Sequence, residues 1–284
     1  MKKILLSILS IAIIGCKNPK DDVVAQPDST IKSITDNDLE TAVIYEANIR
    51  QYSEEGSFNA FTADVPKLKA LGVKVIWLMP VFPISEAKRK GPLGSYYAVS
   101  DYTKVNPEFG SIEDFRTLVK TIHDNDMFVI LDWVPNHTGW DHHWISNHPD
   151  FYTHNAAGEI IHPEGTDWTD VADLNYDNMD MQEAMIADMM YWVEKENIDG
   201  FRCDVASEVP TTFWEKAIPR LRAKHSVFML AEAEKAELNK DSLFDMSYAW
   251  SGHHLFNQLA KGEANADDLK TYVSKHFFHS FEKA

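Results

Sequence analysis

A chain of 284 residues, 44% of them hydrophobic, can bury a substantial core and is long enough for one large α/β barrel or two ordinary domains. Its formal charge of −17 argues against a nucleic-acid or polyanion partner, because phosphate binding needs clustered Lys and Arg. No block of like charge is long enough to suggest a disordered tail, so the acidity reads as a solvated surface. Eight Trp and ten Tyr suit a core first and stacking on sugar rings second.

MKKILLSILSIAIIGC (1–16) has a basic start at Lys2 and Lys3, an apolar run over residues 4–14, and then Gly15-Cys16. The run is shorter than the ~20 residues of a spanning helix and reads as a secretion signal. Its ending resembles a bacterial lipobox, in which cleavage leaves Cys16 as a lipid-bearing N-terminus. The expectation is a secreted lipoprotein, anchored to a membrane and facing the periplasm or the cell surface. A plain signal peptide cleaved elsewhere is the alternative. Residues 17–37 read as a polar tether and 38–284 as the folded part. With Cys16 acylated, Cys203 has no partner for an intrachain disulfide, so stability rests on the core.

Apolar β-rich runs then alternate with helical periodicity. TAVIYEANIR (41–50) is the first strand candidate, followed by a helix over FTADVPKLKALG (61–72) that Gly72 ends. VKVIWLMP (73–80) is apolar nearly throughout, as a strand covered on both faces is. SIEDFRTLVKTIHDND (111–126) puts Ile112, Phe115, Leu118, Val119 and Ile122 on one helical face, with Ser111 in a capping position. MFVILDWV (127–134) is the third strand, MQEAMIADMMYWVEKEN (181–197) a helix and IDGFRCDVA (198–206) the fourth strand. TFWEKAIPRLRAK (212–224) is helix-like despite Pro219, SVFMLAEA (226–233) is the fifth strand, and SLFDMSYAW (242–250) holds a sixth before helical material resumes.

Strict alternation of β and α calls for a parallel sheet, either an open doubly wound sheet or a closed barrel. No Gly-rich phosphate loop follows the first strand, which counts against a nucleotide-binding open sheet. Asp132, Asp204 and Glu232 all fall at C-terminal ends of expected strands, which in a barrel converge on one mouth. The expectation is an α/β fold, a (β/α)8 TIM barrel of which about six βα units are present. The His-, Asp- and Trp-rich stretch 136–180 reads as a small inserted subdomain after the third strand rather than a loose loop.

Arg202 and Asp204 are two residues apart, so on a strand they share a face, while Cys203 faces the helical layer. The arginine beside it is expected to keep Asp204 ionised. Glu232 ends the apolar run VFMLA, where partial desolvation is expected to hold its proton. One charged and one neutral carboxyl is the pairing of a retaining glycosidase. Carboxylates at a barrel mouth also serve to satisfy backbone amides or to bind a metal.

DWVPNH (132–137), GFRCDVA (200–206) and MLAEAE (229–234) resemble conserved regions one, two and three of the alpha-amylase family, glycoside hydrolase family 13. VADLNYDN (171–178) resembles its additional region near the end of the inserted subdomain, and GSYYAVSDYTKVNPEFGSIEDF (94–115) its stretch after the second strand. The matches keep the family's order through residues 41–250. Position by position, the resemblance implies Asp204 as nucleophile, Glu232 as acid/base and Arg202 as the group that holds the nucleophile ionised. It implies His137 and Tyr97 as contacts to the sugar, Tyr97 rather than Tyr96 by stacking, and Asp132 as a brace. It implies no cofactor for the chemistry. In some members calcium binds through residues matching Asn136 and Asp173, but the family's calcium loop after the first strand is replaced here by SEEGSFNAF, so calcium stays open.

The family's fourth region, a His-Asp pair whose aspartate stabilises the transition state, has no counterpart after Glu232. His123-Asp124 lies in a helix and NHPD (147–150) in the insertion. The expectation is therefore a truncated chain with little turnover of its own. The leading reading is a retaining hydrolase of α-glucosidic bonds in starch-like glucans or maltooligosaccharides. A non-catalytic glycan-binding lipoprotein and an α-glucan transglycosylase or isomerase are the alternatives.

Overall fold

The computed structural model describes residues 33–276, so Cys16, the apolar leader and most of the expected tether lie outside the described residues. Helix α1 (Asp36–Glu40) opens on a capping box in which the Thr35 hydroxyl takes the Asp38 N–H and the Asp38 carboxylate returns to the Thr35 N–H. Strand β1 (Ile44–Ala47) ends early because Asn48 caps a short helix, α2 (Ile49–Tyr52). Helix α3 (Phe58–Ala70) starts three residues before the sequence suggests, since Ser57 accepts the Ala60 N–H at 3.2 Å. After β2 (Val75–Leu78), α4 (Ile112–Asp124) carries the expected Ser111 cap, and Asp114 completes the box. Strand β3 (Phe128–Trp133) leads into the excursion, which contains β4 (His137–Gly139), α5 (His143–Asn147) and β5 (Val171–Asp173).

The alternation then resumes with α6 (Met179–Lys195), β6 (Gly200–Cys203), α7 (Thr211–Arg222) and β7 (Phe228–Ala231). The sixth strand of the sheet, β8, is only Met246–Ser247, because Ala236–Ser242 winds as 3-10 turns and the next helix begins at Trp250. Helices α8 (Trp250–Lys261) and α9 (Ala266–His276) close the described residues. No helix among these residues is long and apolar enough to cross a membrane.

The strands pair in the order β1-β2-β3-β6-β7-β8, every pair parallel, and curl into part of a (β/α)8 barrel. Alternate residues divide the sheet's two faces. Ile76, Leu78, Val129, Leu131, Phe201 and Cys203 pack with Phe115, Leu118, Met185, Trp192, Phe213 and Trp214 of the surrounding helices in the larger core. The other face carries Val75, Trp77, Phe128, Ile130, Phe228 and Leu230, covered by Ile34 and Leu39 from around α1. Burial on both faces explains why these strands read as nearly unbroken apolar runs. β4 and β5 form a separate antiparallel pair, with His137 opposite Asp173 and Gly139 opposite Val171.

Candidate active site

Three parallel strands deliver the polar cluster. Asp132 is the register partner of Arg202 across β3 and β6, and Arg202 is the partner of Leu230 across to β7. The ladder continues one step past the strand ends, with Asp204 N–H donating to Trp133 O at 2.8 Å and Glu232 N–H to Cys203 O at 3.0 Å. The convergence of Asp132, Asp204 and Glu232 expected from their strand-end positions is thus a consequence of register. As expected, Cys203 points the other way and is fully buried against the helices.

Arg202, only 4% exposed, is the hub. Its Nη1 donates to Asp132 Oδ1 and to Asp204 Oδ1, both at 2.9 Å, and its Nη2 pairs with Glu232 Oε1 at 2.8 Å. Its Nε donates to the Tyr248 hydroxyl at 3.2 Å. The guanidinium lies 4.8 Å from the Trp77 ring and 5.5 Å from the Tyr248 ring, a contact that a planar cation makes well. Asp132 Oδ2 takes two further donors at 3.2 Å, the Trp77 indole N–H and the Tyr97 hydroxyl. Glu232 Oε2 accepts the Val205 N–H at 2.8 Å, from a residue held at φ +37°, a backbone setting rare for a β-branched side chain.

The charge distribution differs from the one the sequence suggests. Burial raises the Asp204 carboxyl to about 7, the adjacent Glu232 charge adds to that, and Arg202 pulls the other way without prevailing. Asp204 is also in hydrogen-bonding contact with Glu232. The Asp204 carboxyl is thus raised, whereas the arginine was expected to keep this group ionised. Glu232, expected at an apolar rim, accepts instead from a guanidinium and a backbone amide. Burial likewise raises Asp132 well above the usual carboxylate range, against the pull of Arg202.

Tyr97 joins this cluster, and burial followed by the Asp132 charge pushes its phenol up. Tyr96 turns away, its ring lying 4.7 Å under the Arg50 guanidinium. His137 stands on the neighbouring wall, where its ring bonds the Tyr97 backbone carbonyl. Burial lowers it to about 4, so it presents a neutral imidazole at physiological pH. The Trp168 ring packs edge-on to His137 at 5.6 Å.

Asn136 and Asp173 sit at the mouth of the β4–β5 pair, but Asn136 Nδ2 faces His137 Nδ1 at 3.3 Å, and the Asp173 carboxylate is in hydrogen-bonding contact with the Thr153 side chain. Calcium takes six to eight oxygens, and among the described residues no group of three or more His, Cys, Asp or Glu side chains is arranged to hold a metal. Two neighbouring side chains do not amount to such a set.

Three participants escape sequence reasoning. Trp77 lies inside a strand buried on both faces, so no alternation marks its polar atom, and the period of two that places it beside Val75 is the only signal. Tyr248 follows a strand of two residues. The Val205 amide leaves no trace in side-chain identity.

A family model described as "Alpha amylase, catalytic domain" matches residues 27–159 and 165–271. Alpha-amylase 3 of Dictyoglomus thermophilum is 28% identical over 259 residues, covering 80% of this chain and 50% of that protein. The trehalose synthase of Pimelobacter sp. is 30% identical over 200 residues, covering 58% of this chain and 34% of that one. A solved alpha-amylase structure from Lactobacillus plantarum superposes with a TM-score of 0.79 at 35% identity, covering 84% of this chain and 60% of the other. The chain spans half or less of the length of these two curated relatives.

Proposed function

The chain belongs to the alpha-amylase family, and we propose that it acts as a retaining glycoside hydrolase on the α-glucosidic bonds of starch-like glucans or maltooligosaccharides. The observation that carries this reading is the convergence of Asp132, Asp204 and Glu232 on one buried guanidinium at the C-terminal ends of parallel strands.

In this reading Asp204 attacks the anomeric carbon while Glu232 protonates the leaving oxygen, and a water activated by Glu232 then releases the sugar. Retaining carboxyls stand about 5 Å apart, and here Asp204 and Glu232 flank one guanidinium on adjacent strands. Double displacement requires Asp204 charged beside Arg202 and a proton on Glu232 when the glycosidic oxygen leaves. Neutral His137 offers hydrogen bonds to hydroxyls, Tyr97 its ring face, and Asp132 braces both Arg202 and Tyr97. No cofactor takes part.

A second reading, transfer or isomerisation on the same carboxylates, is supported by the trehalose synthase relative. Lys2, Lys3, the apolar run and Gly15-Cys16 support a lipid-anchored secreted form.

The test is to incubate the full chain with maltoheptaose and follow both binding and chain shortening. The wild type is expected to bind it and to shorten it only slowly, and Asp204→Asn to bind it with no cleavage. Equal cleavage by the two proteins would remove Asp204 from the role of nucleophile.

A further inference from the structure

We propose that Tyr248 is a positioning residue for the Arg202 guanidinium, and through it for Asp204. In the glucan reading above, on which this rests, Asp204 is the nucleophile.

Arg202 serves three carboxyls with one rigid fork. Its Nη1 reaches Asp132 and Asp204 at 2.9 Å each, and its Nη2 reaches Glu232 at 2.8 Å. A guanidinium is planar, so these bonds exist together in only one rotation about the Cδ–Nε bond. The carboxyls alone leave that rotation in dispute, because each gains when the fork turns its way. Nε carries a single N–H, which lies in the plane of the fork and so sets its rotation. That N–H donates to the Tyr248 hydroxyl at 3.2 Å. Among the described residues Tyr248 is the one uncharged hydrogen-bond partner of the guanidinium.

Tyr248 is itself held firmly. Its N–H donates to Ala231 O at 3.1 Å, just past β7. Its ring meets Trp77 at 6.5 Å and 68°, and Trp250 at 4.9 Å and 62°. Trp77 in turn lies 4.8 Å from the guanidinium and donates its indole N–H to Asp132 at 3.2 Å. Tyr248 therefore fixes the fork at Nε, while Trp77 fixes its face and one of the carboxylates on Nη1. Burial raises the Tyr248 phenol against the pull of Arg202. The hydroxyl thus stays neutral and adds no charge to a set that already has three carboxyls to one cation. What it contributes is direction. A phenol whose ring is packed against two indoles has little rotamer freedom left to lose, so it holds Nε at low ordering cost.

Tyr248→Phe keeps the ring and deletes the acceptor. The fork is then free to turn among the carboxyls, and Asp204 loses part of the cation that draws its carboxyl down. Carbon-13 NMR of labelled aspartate carboxyls is expected to show the charged fraction of Asp204 at pH 7 fall about threefold, with the urea midpoint unchanged. A ring that only filled space would leave Asp204 unaffected by this variant. In the wild type, the Arg202 Nε–H is expected to exchange with water about tenfold more slowly than that of an exposed arginine, a readout that needs no variant to fold. Wild-type exchange at the exposed rate, or an Asp204 titration that Tyr248→Phe leaves in place, would overturn the positioning role. Both are read without substrate, so a wild type that neither binds nor cleaves maltoheptaose would overturn the glucan reading alone.

Discussion

Arg202 makes contacts that compete. One guanidinium serves Asp132, Asp204 and Glu232, and burial leaves this set too short of positive charge for every carboxyl to ionise at neutral pH. Burial raises the Asp132 carboxyl well above the usual range and the Asp204 carboxyl from 3.8 to about 7. A raised acid contributes stability that is complete below pH 3.8 and lost as pH climbs through 7, since above that the folded state holds a buried charge the unfolded chain carries freely. Glu232→Gln removes one of the causes of the rise. The Asp204 carboxyl is then expected to titrate below 7, and the protein to lose less stability between pH 5 and 8. Carbon-13 NMR of labelled aspartate carboxyls reads the first effect, and an Asp204 titration unchanged by the substitution would remove Glu232 as a cause of the rise. Arg202, Asp204 and Cys203 were legible from sequence because a strand's period of two assigns their faces. The protonation order was not, because it depends on how deeply three strand ends bury each carboxyl.

At the scale of elements, the site depends on how closely β6 and β7 approach. Gly200 begins β6 at φ +145°, and a Cβ there would lie 1.9 Å from the Phe228 carbonyl oxygen on β7. Neither backbone can yield without losing the register that sets Arg202 beside Leu230 and carries Glu232 to Cys203. Gly200→Ala is expected to destabilise the fold by roughly 3 kcal/mol or more, since clash and backbone strain add. Denaturant titration checks it, and a loss under about 1 kcal/mol would show that the two strands can part. Periodicity and caps predicted β1 to β3, β6 and β7 and the helices between them, with errors mainly at the ends. Ser57 and Asn48 act as caps that alter two boundaries, and β8 shrinks to two residues because the chain on both sides of it winds into turns and helix. The β4–β5 pair was hidden by its length, three residues in each strand.

Across the molecule, parallel strand order brings residues from 97 to 248 onto one rim, and Ile34 and Leu39 cover the face that carries Val75, Phe128 and Phe228. The formal net charge of −17 neither attracts nor repels an uncharged glucan, so in the proposed reading affinity comes from local contacts at Tyr97 and His137. Sequence motifs located the cluster because its carboxylates sit at strand ends. They missed Tyr248, whose importance comes only from touching Arg202. In the proposed double displacement Asp204 is the nucleophile and Glu232 the acid/base. Proton NMR of the sugar that the chain first and slowly releases from a maltooligosaccharide is the test. The α-anomer is expected, appearing before mutarotation and absent with Asp204→Asn. Initial release of the β-anomer, or release undiminished by that substitution, would contradict it.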